Sequence, residues 1–189
     1  SATDNEKKNW TNVLMSFQHF TGPLMAKGFE DTLLYNYNRL ISLNEVGGFP
    51  QIFGIHTETF HQFNSKRMRF WPNSMNATST HDSKRGEDIR ARINILSEIP
   101  EEWNEQVKNW AKINKHLKET YENETIPDAN DEYLFYQTLL GSFQADEDPE
   151  QYKTRVSEFM LKAIREAKVH TDWIAYNSAY EKGLLTFIQ

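Results

Sequence analysis

At 189 residues, with 38% hydrophobic and 13% aromatic residues, the chain is long enough for one sizeable core and too rich in large apolar groups for a disordered segment. A net charge of −6, with basic residues interleaved among acids, argues against a general nucleic-acid footprint. The lack of cysteine excludes disulfides and thiolate metal sites and fits a reducing, cytoplasmic setting; no apolar run reaches membrane-span length.

In chain order, Val13, Leu14, Phe17 and Phe20 repeat at helical spacing, and Gly22-Pro23 is expected to interrupt them. A second helical pattern holds Leu33, Leu34, Tyr37, Leu40 and Ile41 and is closed by Gly47-Gly48 and Pro50. Residues 49–75 show no sustained period and read as a long loop or irregular segment. Met75 to Thr80 is short, with small and β-branched residues, and reads as one strand without a partner. From Gly86, the residues Ile89, Ile93 and Leu96 line one helical face, and Pro100 is expected to stop the run. Trp103, Val107, Trp110 and Leu117 continue it, and residues 118–130 form a polar connector. Asn130 or Asp131 caps a helix running through Leu140, with Gly141 at its end. Asp148-Pro149 starts a helix with a clean stripe from Tyr152 and Val156 to Ile164 and Ala167. Asn177 or Ser178 starts the last one, carrying Leu184, Leu185 and Ile188. The fold class expected is all-α, an irregular multi-helix bundle with at most one or two short strands. It divides into a segment 1–85 and a helical domain 86–189.

The chemistry-bearing stretches have plain readings as well as sharp ones. In the stretch 80–92, THDSKRGEDIRAR, Asp82 or Ser83 can cap the helix near Gly86, with Glu87 and Asp88 favoured by its dipole. The sharper reading has a strand ending at Thr80 that delivers His81 and Asp82 to a pocket rim, where barrel enzymes keep their carboxylates. Lys84 and Arg85 can donate to sugar hydroxyls or an anion, or remain solvated. Lys27 with Gly28 falls far short of a phosphate-binding loop. Lys162 and Glu166, four apart, can pair on a solvated helix face. The six histidines show no metal-ligand spacing and no nucleophile-elbow motif occurs, so no metal site is assigned. Trp71 and Trp173 can stack on sugars, although core packing is the simpler use.

Four blocks in order, FTGPLMAKGFEDTLLYNYNRLISLNEVGG, NATSTHDSKRGEDIRARINILSEIP, EYLFYQTLLG and KAIREAKVHTDW, resemble a stretch of maltooligosyltrehalose synthase, of the α-amylase clan of glycoside hydrolases. The resemblance covers about Phe17 to Tyr180. It implies a retaining intramolecular transglucosylation that turns the reducing-end α-1,4 bond of a maltooligosaccharide into an α,α-1,1 bond, without a metal or organic cofactor. It also implies a (β/α)8 barrel in which a nucleophilic Asp, an acid/base Glu and a third, transition-state-stabilising Asp meet. The third follows a His at the end of the seventh strand and matches Asp82 after His81. Lys27 and Lys84 match lysines near the reducing-end sugar, with Arg85 beside them. Retention needs two carboxyl groups about 5–5.5 Å apart across the bond, and neither the nucleophile nor the acid/base has a match here. The resemblance therefore leads us to expect an internal piece of a longer enzyme, with the orphan strand left from its barrel. Such a piece would be inactive alone, have maltooligosaccharide and the rest of the barrel as partners, and have residues 75–85 rearranged or tied up by a second copy. The alternative is a stand-alone helical carbohydrate-binding or interaction module.

Overall fold

The computed structural model describes residues 2–189. Thr3 opens α1 (Asp4–Met25) with a capping box: its hydroxyl accepts from the Glu6 N–H, and the Glu6 carboxylate accepts from the Thr3 N–H at 2.7 Å. The expected break at Gly22-Pro23 does not occur. Pro23 removes one rung of the ladder, yet the helix runs on through it and passes into a wider π-helix, Ala26–Leu33. A single α-turn, α2 (Leu34–Asn36), then enters the core, and an irregular segment with a 3₁₀ turn at Ile41–Leu43 follows. The predicted second helix is thus cut short after Asn36.

Residues 49–75 are not all loop, because Thr57–Phe70 forms α3. Glu58 in its first turn and Arg67 and Arg69 in its last match the helix dipole, but no residue of α3 is buried. Met75 to Thr80 is not a strand. It is an exposed coil, with Met75 99% exposed and no strand paired to it among the described residues. α4 (Glu87–Asn94) starts from Gly86 with no side-chain cap, so neither Asp82 nor Ser83 caps it. The run from Gly86 ends before Pro100, as expected, and Pro100 also opens the next helix: it occupies the first turn of α5 (Pro100–Asn114), where its missing N–H costs nothing.

The polar connector is a hairpin. β1 (Glu119–Tyr121) pairs antiparallel with β2 (Glu124–Ile126), Tyr121 opposite Glu124. Glu122 and Asn123 form the two-residue turn, both with positive φ (50° and 68°), as a twist-matched turn requires. This is the only sheet among the described residues, so the chain is an all-α bundle with one short hairpin. Asp128 caps α6 (Ala129–Ser142), Asp148 caps α7 (Pro149–Ala167) and Asn177 caps α8 (Ser178–Ile188).

α6 is the hub. It packs on α4, α5 and α7, and Leu134, Phe135, Tyr136 and Gln137 are buried on several sides of it. Gly141 lets α4 approach: a Cβ there would lie 2.8 Å from Ile93 Cδ1 and 2.9 Å from Ile89 Cγ2. Val156, Met160, Ala163 and Ile164 of α7 and Leu184 and Phe187 of α8 complete the core, which Tyr35, Leu40 and Ile41 join from the N-terminal half. Irregular backbone at 34–41 is tolerable inside because side-chain amides satisfy it. Gln137 accepts from the Ile41 N–H at 3.0 Å and donates to the Asn38 carbonyl at 2.7 Å; Asn44 donates to the Leu34 and Tyr37 carbonyls. No helix of the described residues is long and apolar enough to cross a membrane.

Candidate functional site

The residues singled out in the sequence lie on two segments that fold against each other: the π-helix, with Lys27, and the turn 80–85. The tie between them is carboxylate. Glu45, just after the 3₁₀ turn, accepts from the backbone N–H groups of Lys84 (2.7 Å) and Arg85 (3.3 Å) and from Val46, and Arg90 of α4 lies 3.8 Å from it. Glu30 of the π-helix accepts from the Gly47 N–H at 3.0 Å. The two glutamates thus stitch the π-helix, the loop after it and the 80–85 turn into one body.

Arg85 turns inward. It is buried, donates to the Ile41 carbonyl at 3.2 Å, and its guanidinium lies 5.5 Å from the centre of the Phe159 ring. Burial lowers its pKa to about 10, which leaves it charged at neutral pH. Lys84 is also drawn in: its side chain is only 7% exposed, its ammonium lies 3.3 Å from Asp31 and 5.1 Å from the Tyr35 ring centre. Lys27 stands in solvent, 2.6 Å from the other Asp31 oxygen. That bond raises the Lys27 pKa, and the charges of Glu166 and Asp82 act in the same direction.

His81 and Asp82 sit at the tip of a tight turn closed by Ser83 N–H to the Thr80 carbonyl (3.2 Å) and Thr80 N–H to the Ser83 hydroxyl (2.8 Å). The Asp82 N–H donates to the Thr80 hydroxyl. Both side chains are exposed, and neither makes a hydrogen bond or ion pair with any described residue. Upstream, Thr78 and Ser79 donate to Glu87, and Arg90 donates to the Thr78 carbonyl, so the turn is anchored on both sides. The structure therefore links Lys27, the inward-drawn Lys84 and the Asp82 turn through Asp31 and Glu45, and leaves Asp82 free to accept hydrogen bonds from outside.

Three members of this constellation were not singled out from sequence. Asp31 carried a weak signal, its spacing of four from Lys27 on a helix. Tyr35 and Glu45 had none, since each acts on a residue far along the chain. On α7 it is Arg165, rather than Lys162, that pairs: it holds Glu181 of α8 through two bonds of 2.8 and 2.6 Å, and Trp173 and Tyr176 flank its guanidinium. A second polar cluster joins α6 to the segment before α8. Asp128, Asp131 and His170 offer ligand atoms within 4.8 Å of one another. Those groups are already engaged: His170 with Asp128 at 2.9 Å, and Asp131 with the Tyr180 hydroxyl at 2.6 Å. A cleft of about 810 Å³ lined by Tyr37, Phe53, Trp103 and Tyr133, among others, includes none of the five sequence candidates.

No family model matches the chain. It is 41% identical over 165 residues to a Mycobacterium tuberculosis protein assigned as a maltooligosyl trehalose synthase, a match covering 87% of this chain and 20% of that one. The chain thus spans about a fifth of the length of the curated relatives it matches. Among solved structures, that of a Sulfolobus tokodaii hypothetical maltooligosyl trehalose synthase superposes with a TM-score of 0.83 at 45% identity, over 97% of this chain and 24% of that one. A glycosyltrehalose synthase gives a TM-score of 0.77 at 48% identity, over 92% and 22%. In sequence and in fold, the chain is a relative of the maltooligosyl trehalose synthases, matching between a fifth and a quarter of their length.

Proposed function

We propose that this chain supplies one wall of the active site of a maltooligosyl trehalose synthase, the wall that meets the reducing-end sugar. The supporting observation is the free His81-Asp82 pair held at the tip of a braced turn, which Lys84 and Asp31 tie to the Lys27 helix. In this reading Asp82 stabilises the oxocarbenium-like transition state by accepting sugar hydroxyls whose hydrogen bonds strengthen as the ring flattens. His81 donates to a neighbouring hydroxyl. Lys27 and Lys84 orient the released glucose so that its anomeric hydroxyl, rather than water, attacks the glycosyl intermediate. Arg85, buried beneath the turn, serves by holding it in place.

The nucleophilic Asp and the acid/base Glu must come from elsewhere in a longer enzyme, so residues 1–85 are the barrel-derived part and 86–189 the helical domain that backs it. The substrate is then a maltooligosaccharide and no cofactor takes part. The isolated chain is inactive on maltopentaose, judged by loss of reducing ends. The full-length enzyme converts it, and Asp82→Asn lowers kcat by on the order of 10²–10³-fold. Conversion by the isolated chain, or an unimpaired Asp82→Asn enzyme, overturns this reading.

A further inference from the structure

Asp31 has no place in the scheme above, yet it is the one residue that touches both candidate lysines. Its Oδ2 lies 2.6 Å from Lys27 Nζ and its Oδ1 3.3 Å from Lys84 Nζ, and Lys84 arrives from 53 residues along the chain. The two partners differ in kind. Lys27 is 74% exposed, one turn back on the same helix, and such a pair by itself contributes little. Lys84 is nearly buried, with the Tyr35 ring on one side and Asp31 as its only carboxylate. Burial pushes the Asp31 carboxyl up, but the two lysines outweigh it and hold the group below the ordinary carboxylate range. Asp31 therefore stays ionised, and a carboxylate has about four acceptor positions, of which the lysines fill two.

We propose that Asp31 is the positioning residue of the reducing-end subsite. It fixes the two ammonium groups relative to each other and turns the spare N–H bonds of Lys27 outward, where they meet hydroxyls of the released glucose. The inference rests on the function proposed above and adds a residue to it. Without Asp31, Lys84 keeps only the Tyr35 ring and Lys27 swings free, so the glucose is held less firmly in the interval between bond cleavage and re-attack. Water then competes better, and free glucose appears in place of the α,α-1,1 product.

The test uses the full-length enzyme with maltopentaose. Asp31→Asn is expected to raise KM by about tenfold and to increase the ratio of released glucose to trehalose-ended product. On a Lys27→Ala background the same change adds less than it does alone, because the Asp31–Lys27 contact is already gone and only the Lys84 contact remains to be lost. An unchanged product ratio, or full additivity with Lys27→Ala, overturns the assignment. Should Asp31→Asn lose the fold, Asp31→Glu carries the test. It keeps the charge and lengthens the arm by one methylene, and a product ratio equal to that of the unaltered enzyme sinks the proposal. Asp82→Asn measured in parallel separates the two failures. If it abolishes conversion while the Asp31 variants behave normally, only Asp31 is wrongly placed; if it too has no effect, both readings fall.

Discussion

The two ends of this chain follow opposite rules. α6, α7 and α8 share a core in which Met160 and Leu184 are fully enclosed, and every one of the three has a side-chain cap. α1 and α3 bury no residue at all, and Trp10, Phe17 and Phe20 of α1 each stand more than 60% exposed. α1 carries an apolar stripe at helical spacing, as α7 does, so helical periodicity marks a face to be covered and does not say by what. The candidate site lies at the junction, where the π-helix leaves the exposed part and Leu34 and Tyr35 plug into the enclosed one.

The contrast can be broken most forcefully from the enclosed side. Glu181 is buried with Arg165 and Thr171 as partners. Burial pushes its carboxyl up, but the Arg165 and Thr171 bonds outweigh this and keep it below the ordinary range. Arg165→Ala strands that charge and should cost about 3–5 kcal/mol in urea unfolding. A loss under 1 kcal/mol would mean that water reaches Glu181. Next in size is a pH effect. Burial pushes the Asp131 carboxyl up to about 6, beyond what the Tyr180 hydroxyl recovers. The folded chain holds this proton more tightly than the unfolded one. Its contribution is therefore present at low pH and is lost as pH rises from about 4 to about 6, a fall of roughly 2–3 kcal/mol. Asp131→Asn should flatten that part of the stability curve, and an unchanged slope would refute the shift. The smallest effect sharpens the comparison from the exposed side. Phe17→Ala should change the stability of the isolated chain by no more than about 0.5 kcal/mol. A loss above 1 kcal/mol would show that α1 is anchored in solution.

What the sequence disclosed depended on how local the cause was. α7 and α8 were readable because cap, stripe and stop lie within a few residues of each other, whereas the His81-Asp82 pair was singled out only by its resemblance to a family motif. α3 was missed because three Phe at 60, 63 and 70 are too sparse a stripe, and its surroundings are rich in turn-formers. The hairpin was missed because Glu122-Asn123 lacks the glycine that marks most two-residue turns; Asn tolerates the left-handed region, and Glu122 is carried there with it. The strand expected at 75–80 failed for a different reason, since a strand needs a partner and the only sheet among the described residues is the β1–β2 hairpin, which it does not join. Glu45 could not have been found at all, because its work is to hold backbone N–H groups 39 and 40 residues away.

A π-turn is an α-helix that has accepted an extra residue without shifting what lies on either side of it. Residues 26–33 therefore act as a register spacer: Leu34 and Tyr35 are pinned in the core, and everything upstream is rotated to suit. Winding the same residues as an ordinary α-helix, with none removed, would turn the whole of α1 by about 100° about its axis. Lys27 would then swing away from Lys84, and the Trp10–Phe20 stripe would point a different way. Lys27 and the uncovered apolar stripe are thus set by a single dial, and a sequence change at one is answered at the other.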